Sequence, residues 1–414
     1  MAKLDELISK LCPDGVEYKT LGEIGTFYGG LTGKSKEDFK DGNAKFISYI
    51  NVFNNLSIDI NTSDTVNISV GEHQNTIQYG DIIFTGSSET PNECGMSSVL
   101  TVKTDEALYL NSFCFGLRLN NLDILLPEFA KYIFRCHRVR KQIIKTASGV
   151  TRFNVSKKKM ERVIIPVPPM EVQCEIVRIL DNFTELTAEL TAELTAELTA
   201  RKKQYEYYRD ELLTFGDDVE WKTLDKIATF TYGYTDRALD KGDVRFLRIT
   251  DINSDGCLNK DAPKYLKLTK DNKKYLVNQG DLLMARTGAT YGKTLYITTN
   301  EPAIYASFLI KINLSNNIIN NRYYWHFAKS NLYWNQANKL VTTGGQPQFN
   351  ANALKQVSVP VPPLPEQQRI VDILDRFDKL CNDISEGLPA EIEARKKQYE
   401  YYRDKLLTFK EKKN

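Results

Sequence analysis

The chain has 414 residues, 42% of them hydrophobic and 26% charged. That is too long for one typical core and too apolar for disorder, so two to four folded domains are expected. A net charge of +2 excludes nucleic-acid binding through a whole-molecule field, leaving only local patches to do it.

The chain opens with MAKLDELISKL, which alternates charges with apolar residues, and no uninterrupted apolar run of membrane-spanning length follows. Neither a signal peptide nor a membrane span is expected. The next 150 or so residues carry short β-branched and aromatic runs such as TVNISV and DIIFTG, broken by Gly, Asn and Asp, which predicts strands and turns. GGLTGKS at Gly29 to Ser35 resembles a phosphate loop, but Tyr28 stands where the motif needs glycine. Pro13, Asp14, Glu17 and Lys19 imitate the letters of a metal-dependent nuclease at a spacing too tight for one. Seven scattered cysteines without a CxxC pair, with only His73, His137 and His326, argue against disulfides and zinc and fit a reducing cytoplasm.

At Pro166, Pro168 and Pro169 the pattern turns helical, with Glu171 suited to the positive helix end. Ile176, Ile179, Leu180, Phe183 and Leu186 then follow helical spacing. TAEL tetrads from Thr187 to Leu198 extend the helix, and each leucine step drifts about 40° around it. RKKQYEYYRDELLTF closes the stretch at Phe215.

Then the chain repeats itself. VEYKTLGEIGTF from Val16 returns as VEWKTLDKIATF from Val219, and IPVPPMEVQCEIVRILDNFTEL returns as VPVPPLPEQQRIVDILDRFDKL. RKKQYEYYRDKLLTF from Arg395 differs from the first copy at one position. A constant register of 194 residues relates the copies from the prolines onward. Only the tetrad region departs: DISEGLPAEIEA carries Gly387 and Pro389, which should kink or restart the second helix. Two amphipathic helices between two like modules would bury their stripes most simply against each other, antiparallel. The fold class is α+β, with pseudo-twofold modules at 1–170 and 216–364 and helices at 171–215 and 365–414.

No Asn-Pro-Pro-aromatic segment and no GxGxxG occurs, so base methylation and dinucleotide binding lack their signatures. Candidate DNA contacts are loop residues: Lys34, Ser35, Lys36, Arg152, Lys157 and Lys158 in the first copy, and Arg237, Arg248, Arg286, Lys293, Gln346 and Gln348 in the second. SGVTRFN and GGQPQFN align on Phe-Asn, as if one loop were kept and its head changed. The near-identical tyrosine segments suggest a surface shown twice to identical partners, through Tyr205, Tyr208, Arg209, Tyr399, Tyr402 and Arg403, with the alternative that some of the tyrosines face the paired helix as core.

Duplicated variable modules, each followed by an I-P-x-P-P helix start and a long helix, resemble the specificity subunits of type I restriction-modification systems. The TAEL tetrads before KQYEYYRD are similar to the IC branch. The resemblance implies two target recognition domains, each reading half of a bipartite asymmetric DNA site, with the helices setting the spacer. It implies a cytoplasmic, non-catalytic chain that binds double-stranded DNA, two modification subunits and, in the full complex, two restriction subunits. S-adenosylmethionine, ATP and Mg would sit on those partners and no cofactor on this chain. The alternative is a two-headed coiled-coil scaffold binding proteins or glycans.

Overall fold

The β-branched runs form short strands, and the two copies build them in the same order. The computed structural model describes residues 2–253, 255–259, 261–342, 345–382 and 387–412. The chain divides into two units, Met1–Thr191 with Ala394–Asn414, and Ala192–Glu393. These boundaries cut through the two long helical stretches, whereas the sequence-based boundaries fall at their ends. No described helix is long and apolar enough to cross a membrane.

In the first unit an antiparallel sheet runs in the order Gly25–Gly29, Cys114–Leu119, Ile82–Thr85, Ser97–Val99. The second unit repeats it with Ala228–Tyr232, Leu309–Leu314, Leu282–Ala285, Thr294–Tyr296. The inner strand Ile82–Thr85 is buried on both faces, as is Leu282–Ala285, which is why both read as continuous apolar runs. Beside each sheet lies a second one with a parallel pair, Ala44–Ile47 with Leu108–Leu110 and Val244–Leu247 with Ala303–Tyr305. The repeated anchor motifs meet as two-stranded ribbons: Glu17–Thr20 pairs with Ile164–Val167, and Trp221–Thr223 with Ser358–Pro360. Proline is tolerated there because a two-stranded ribbon is all edge.

Each unit then carries two short helices, Pro127–Ile133 and His137–Ile144 in the first, Asn321–Phe327 and Asn331–Leu340 in the second. Their starts keep the 194-residue register. They supply many of the largest buried side chains, among them Phe129 and Tyr132, with Phe134 capping the first helix, and Tyr323, Trp325, Phe327 and Tyr333. In the first unit Leu4 of the opening helix Ala2–Leu11 shares a core with Leu406, Leu407 and Phe409. The backbone of Val16 is hydrogen-bonded to Lys410 and Lys412, which joins the start of the described chain to its end within that unit.

The prolines open a continuous helix from Met170 to Leu212, 43 residues or about 65 Å of rise. Its counterpart is broken: one helix covers Leu364–Asn382 and another Leu388–Leu406, and residues 383–386 lie outside the described residues. The restart one residue after Gly387 follows the expectation from Gly387 and Pro389. Within each unit the helices pair antiparallel. In the first, Phe183 meets Tyr402 at 6.1 Å between rings and the Thr184 and Tyr399 hydroxyls lie 3.0 Å apart. In the second, Tyr208 stacks on Phe377 at 5.7 Å while Lys202 and Cys381 line one cavity. Along the tetrads Leu186 is exposed, Leu194 buried and Leu198 half-buried, as a stripe that drifts around the helix requires.

Candidate nucleic-acid interface

At one end of each main sheet the chain turns into its central strand and leaves a phenylalanine in solvent. Phe113 precedes Cys114–Leu119 and is 55% exposed; Phe308 precedes Leu309–Leu314 and is 50% exposed. The positions match, because the Phe113 carbonyl accepts from the Gly86 amide (2.7 Å) and the Phe308 carbonyl from the Arg286 amide (3.0 Å). Large exposed apolar rings need an explanation when they recur at one place in two folds. Each also carries an arginine. The Arg152 guanidinium lies 5.3 Å above the Phe113 ring, and Arg286 lies 5.4 Å above both Phe308 and Tyr232. Each is tethered by one nitrogen: Arg152 Nε donates to Ser87 Oγ and Arg286 Nε to the Ser307 carbonyl, both at 3.1 Å. Their terminal nitrogens make no hydrogen bond among the described residues.

The two arginines come from different elements. Arg286 occupies the place of Gly86 after the inner strand, whereas Arg152 lies in the hairpin between Ala147–Ser148 and Phe153–Val155. This corrects the alignment of SGVTRFN with GGQPQFN on Phe-Asn. The Val155 amide donates to Gly86 as the Phe349 amide does to Arg286, and Ser156 and Asn350 are equivalent helix caps. Phe349 therefore matches Val155, and its burial, not DNA reading, keeps it apolar. Gly344 of that motif lies outside the described residues.

Other candidates fall into two groups. Lys36, Lys157, Lys158, Arg237 and Gln346 are exposed, with Lys157 Nζ 5.9 Å from the Phe115 ring centre. Several others are committed within the fold. Lys34 is mostly buried and bonds to Glu72 Oε2 and the Asn67 carbonyl, both at 2.6 Å; with Gln74 it holds the Glu72 carboxyl down to about 2. Its loop leads only into a single 3-10 turn, Glu37–Phe39, so no phosphate-binding helix follows GGLTGKS. Ser35 is tied to Asp38, Arg248 to Asp251, and Gln348 Nε2 donates to Thr287 Oγ1 at 2.7 Å. Lys293 lines a cavity of about 280 Å³ with Tyr205, Arg209 and Lys329.

The tyrosine segments turn four of their six candidate residues inward. Tyr205 and Arg209, one helical turn apart, are buried in the second unit, and Tyr399 and Arg403 are half-buried in the first. The adjacent aspartates reach the second short helix of each unit: Asp210 accepts from the Asn331 amide at 3.3 Å and Asp404 from the His137 amide at 3.1 Å. Near identity of the two segments is thus required in part because each docks on the equivalent helix pair of its own unit. It is not explained by identical outside partners alone. The outward face holds Tyr207 (64% exposed) and Tyr401 (62% exposed), while Tyr208 and Tyr402 lie at its edge, partly exposed and packed on Phe377 and Phe183 of the paired helices.

Beneath this docking, the copies solve one problem with different residues. In the first unit the Tyr132 hydroxyl donates to Asp181 Oδ1 at 2.6 Å, beside Thr184 and Tyr399. In the second, His326 takes the place of Tyr132, with Nε2 2.6 Å from Asp375 and Nδ1 3.1 Å from the Tyr205 hydroxyl. Complete burial pushes His326 down to about 4, against the pull of Asp375 and with help from Arg322 and Lys329. The neutral tautomer carrying its proton on Nε2 satisfies both nitrogens.

Two matches to the family model for the type I restriction modification DNA specificity domain cover residues 13–200 and 216–394. The chain belongs to that family. It is 38% identical over 275 residues to a putative type I restriction enzyme specificity subunit of Haemophilus influenzae, covering 63% of this chain and 68% of the relative. It is 37% identical over 283 residues to the EcoR124I/EcoR124II specificity subunit of Escherichia coli, covering 62% and 65%. A structure from work on assembly and conformational transition of the type I R-M system matches 95% of this chain and 97% of its own, with TM-score 0.66 and 16% identity. The HsdS subunit of Thermoanaerobacter tengcongensis matches 96% of both chains, with TM-score 0.50 and 16% identity. These structures show a shared fold. Specificity subunits are the DNA-recognising, non-catalytic members of type I systems.

Proposed function

We propose that this chain is the two-headed DNA reader of a type I restriction-modification complex, each unit reading one half of a bipartite asymmetric site. The observation that carries the reading is one framework built twice with different residues at the same sheet end: Gly29, Gly86 and Arg152 in one unit, Tyr232, Arg286 and Gln346 in the other. Two different half-sites call for that pattern. Lys36, Lys157, Lys158 and Arg237 supply phosphate contacts that fix the register.

The outward tyrosines Tyr207 and Tyr401, with Tyr208 and Tyr402 at the edge, form two like surfaces for two modification subunits, amphipathic side chains of this kind being enriched at interfaces. Those subunits bring S-adenosylmethionine and methylate adenine, and restriction subunits bring ATP-dependent cleavage with Mg. The unbroken helix Met170–Leu212 sets the spacer through its tetrads, the feature by which the chain resembles the IC branch. Mapping methylated adenines in the host genome with and without this chain tests the reading. A bipartite motif present only with the chain is expected; an unchanged methylation pattern overturns it.

A further inference from the structure

Neither arginine above an exposed phenylalanine is accounted for by stability. A guanidinium on an exposed ring contributes about 0.5–1 kcal/mol, less than burying the ring would. Yet both units build the arrangement, and they draw the arginine from different elements to do so. Arg286 follows the inner strand where the first unit has glycine; Arg152 comes from a hairpin where the second unit has glutamines. What is held constant is a planar fork with its guanidinium carbon 5.3–5.4 Å from an exposed phenylalanine ring centre, pinned at Nε and open at its two terminal nitrogens. Pinning removes much of the side-chain entropy that an arginine otherwise loses on binding. A fork pinned at Nε presents two parallel N–H donors, which match the O6 and N7 acceptors on the major-groove edge of guanine.

We infer that Arg152 and Arg286 each read one guanine, Phe113 and Phe308 being positioning residues beside the forks. The inference rests on the two-headed DNA reading above and sharpens it: each half-site contains a G·C pair read by its own unit's arginine. A phosphate contact would not need the ring, since a flexible lysine serves as well for a point charge.

Selection of duplex DNA from a random library by the full-length chain, followed by sequencing, tests this. Wild type is expected to enrich a bipartite motif with a guanine in each half. Arg286→Ala and Arg286→Lys should each flatten one G·C position roughly tenfold or more in one half and leave the other half intact; Arg152→Ala and Arg152→Lys should do the same in the other half. Phe113→Ala and Phe308→Ala should weaken the preference at those same positions, with Phe→Leu restoring part of it. If the arginine variants bind every sequence more weakly by one factor and keep the motif, the arginines contact phosphate and the inference is wrong. It is equally wrong if a half-site lacks a G·C pair. A wild-type chain that enriches no bipartite motif would sink the two-headed reading itself, and this assignment with it.

Discussion

Gln173 and Gln367 tie the recognition domains to the helices, and their removal should be costly for a reason the structure specifies. Gln173 is buried; its Oε1 accepts from the Leu126 amide (2.8 Å) and its Nε2 donates to the carbonyls of Ile124 (3.0 Å) and Pro168 (2.8 Å). Gln367 repeats all three bonds with Asn320, Ile318 and Pro362. Gln173→Leu keeps the volume but orphans one amide and two carbonyls. At about 1–3 kcal/mol for each group left unsatisfied, the cost is about 3–5 kcal/mol. In a unit of this size that lowers the melting temperature by roughly 10 °C. A second pair of glutamines supplies the control. Gln142 bonds both backbone groups of Ile164, and Gln336 those of Ser358, but these sites are partly open to water. Gln142→Leu should therefore cost only about 1 kcal/mol. Calorimetry of the full chain would show Gln173→Leu lowering one transition and Gln367→Leu the other. Equal, small shifts for Gln173→Leu and Gln142→Leu would refute the view that burial sets the magnitude.

Deleting one TAEL tetrad removes about 6 Å and a net 40° of helix, against 3.4 Å and roughly 34–36° for one base pair, so the spacer should shorten by about one base pair with both half-sites unchanged. Altered half-sites on methylation mapping would show that the tetrads do more than measure. His326 gives the second unit a pH dependence: its folded value near 4 lies below the unfolded 6.5, so the unfolded state takes up the proton first. Stability of that unit should be full above about pH 6.5 and fall by about 3 kcal/mol as pH drops to 4, read from the pH dependence of its melting transition. No decline of that kind in the His326→Gln variant is the matching expectation, and an unchanged profile would remove His326 as its cause. Finally, Tyr207→Asp with Tyr401→Asp should abolish co-purification of modification subunits while leaving the melting temperature within about 2 °C. Assembly that survives both substitutions would place the partner surface elsewhere.

The 194-residue register, the strand-then-helix order of each copy and the helix break at Gly387 were legible because each rests on local chemistry: β-branched runs, proline starts and a glycine stop. The glutamine clamps were not, since Gln173 reads as an ordinary surface residue and its partners lie about five and fifty residues upstream. The ion pair that occupies Lys34 was hidden for the same reason, its carboxylate partner being 38 residues away. Phe113 and Phe308 could not be singled out, because residue type carries no information about which side of a turn a ring falls on. The tyrosine segments mixed two faces: Tyr205, Arg209 and their counterparts face inward, Tyr208 and Tyr402 pack at the edge of the helix pair, and Tyr207 and Tyr401 face out.

Internal duplication supplies what a single copy lacks, a comparison under one fold. Where both copies keep the same residue with the same bonds, as at Gln173 and Gln367, the framework demands it. Where they keep the geometry and change the residue, as at Tyr132 and His326 against an aspartate, the demand is for a hydrogen-bond donor of aromatic shape. Where they keep the chemistry but recruit it from different elements, as with Arg152 and Arg286, the fold cannot be the cause, since it supplied a different backbone site each time. A requirement that outlives a change of backbone origin must come from what the surface touches. That is why the arginine forks with their open terminal nitrogens, rather than the more numerous lysines around them, are assigned the specificity of this chain.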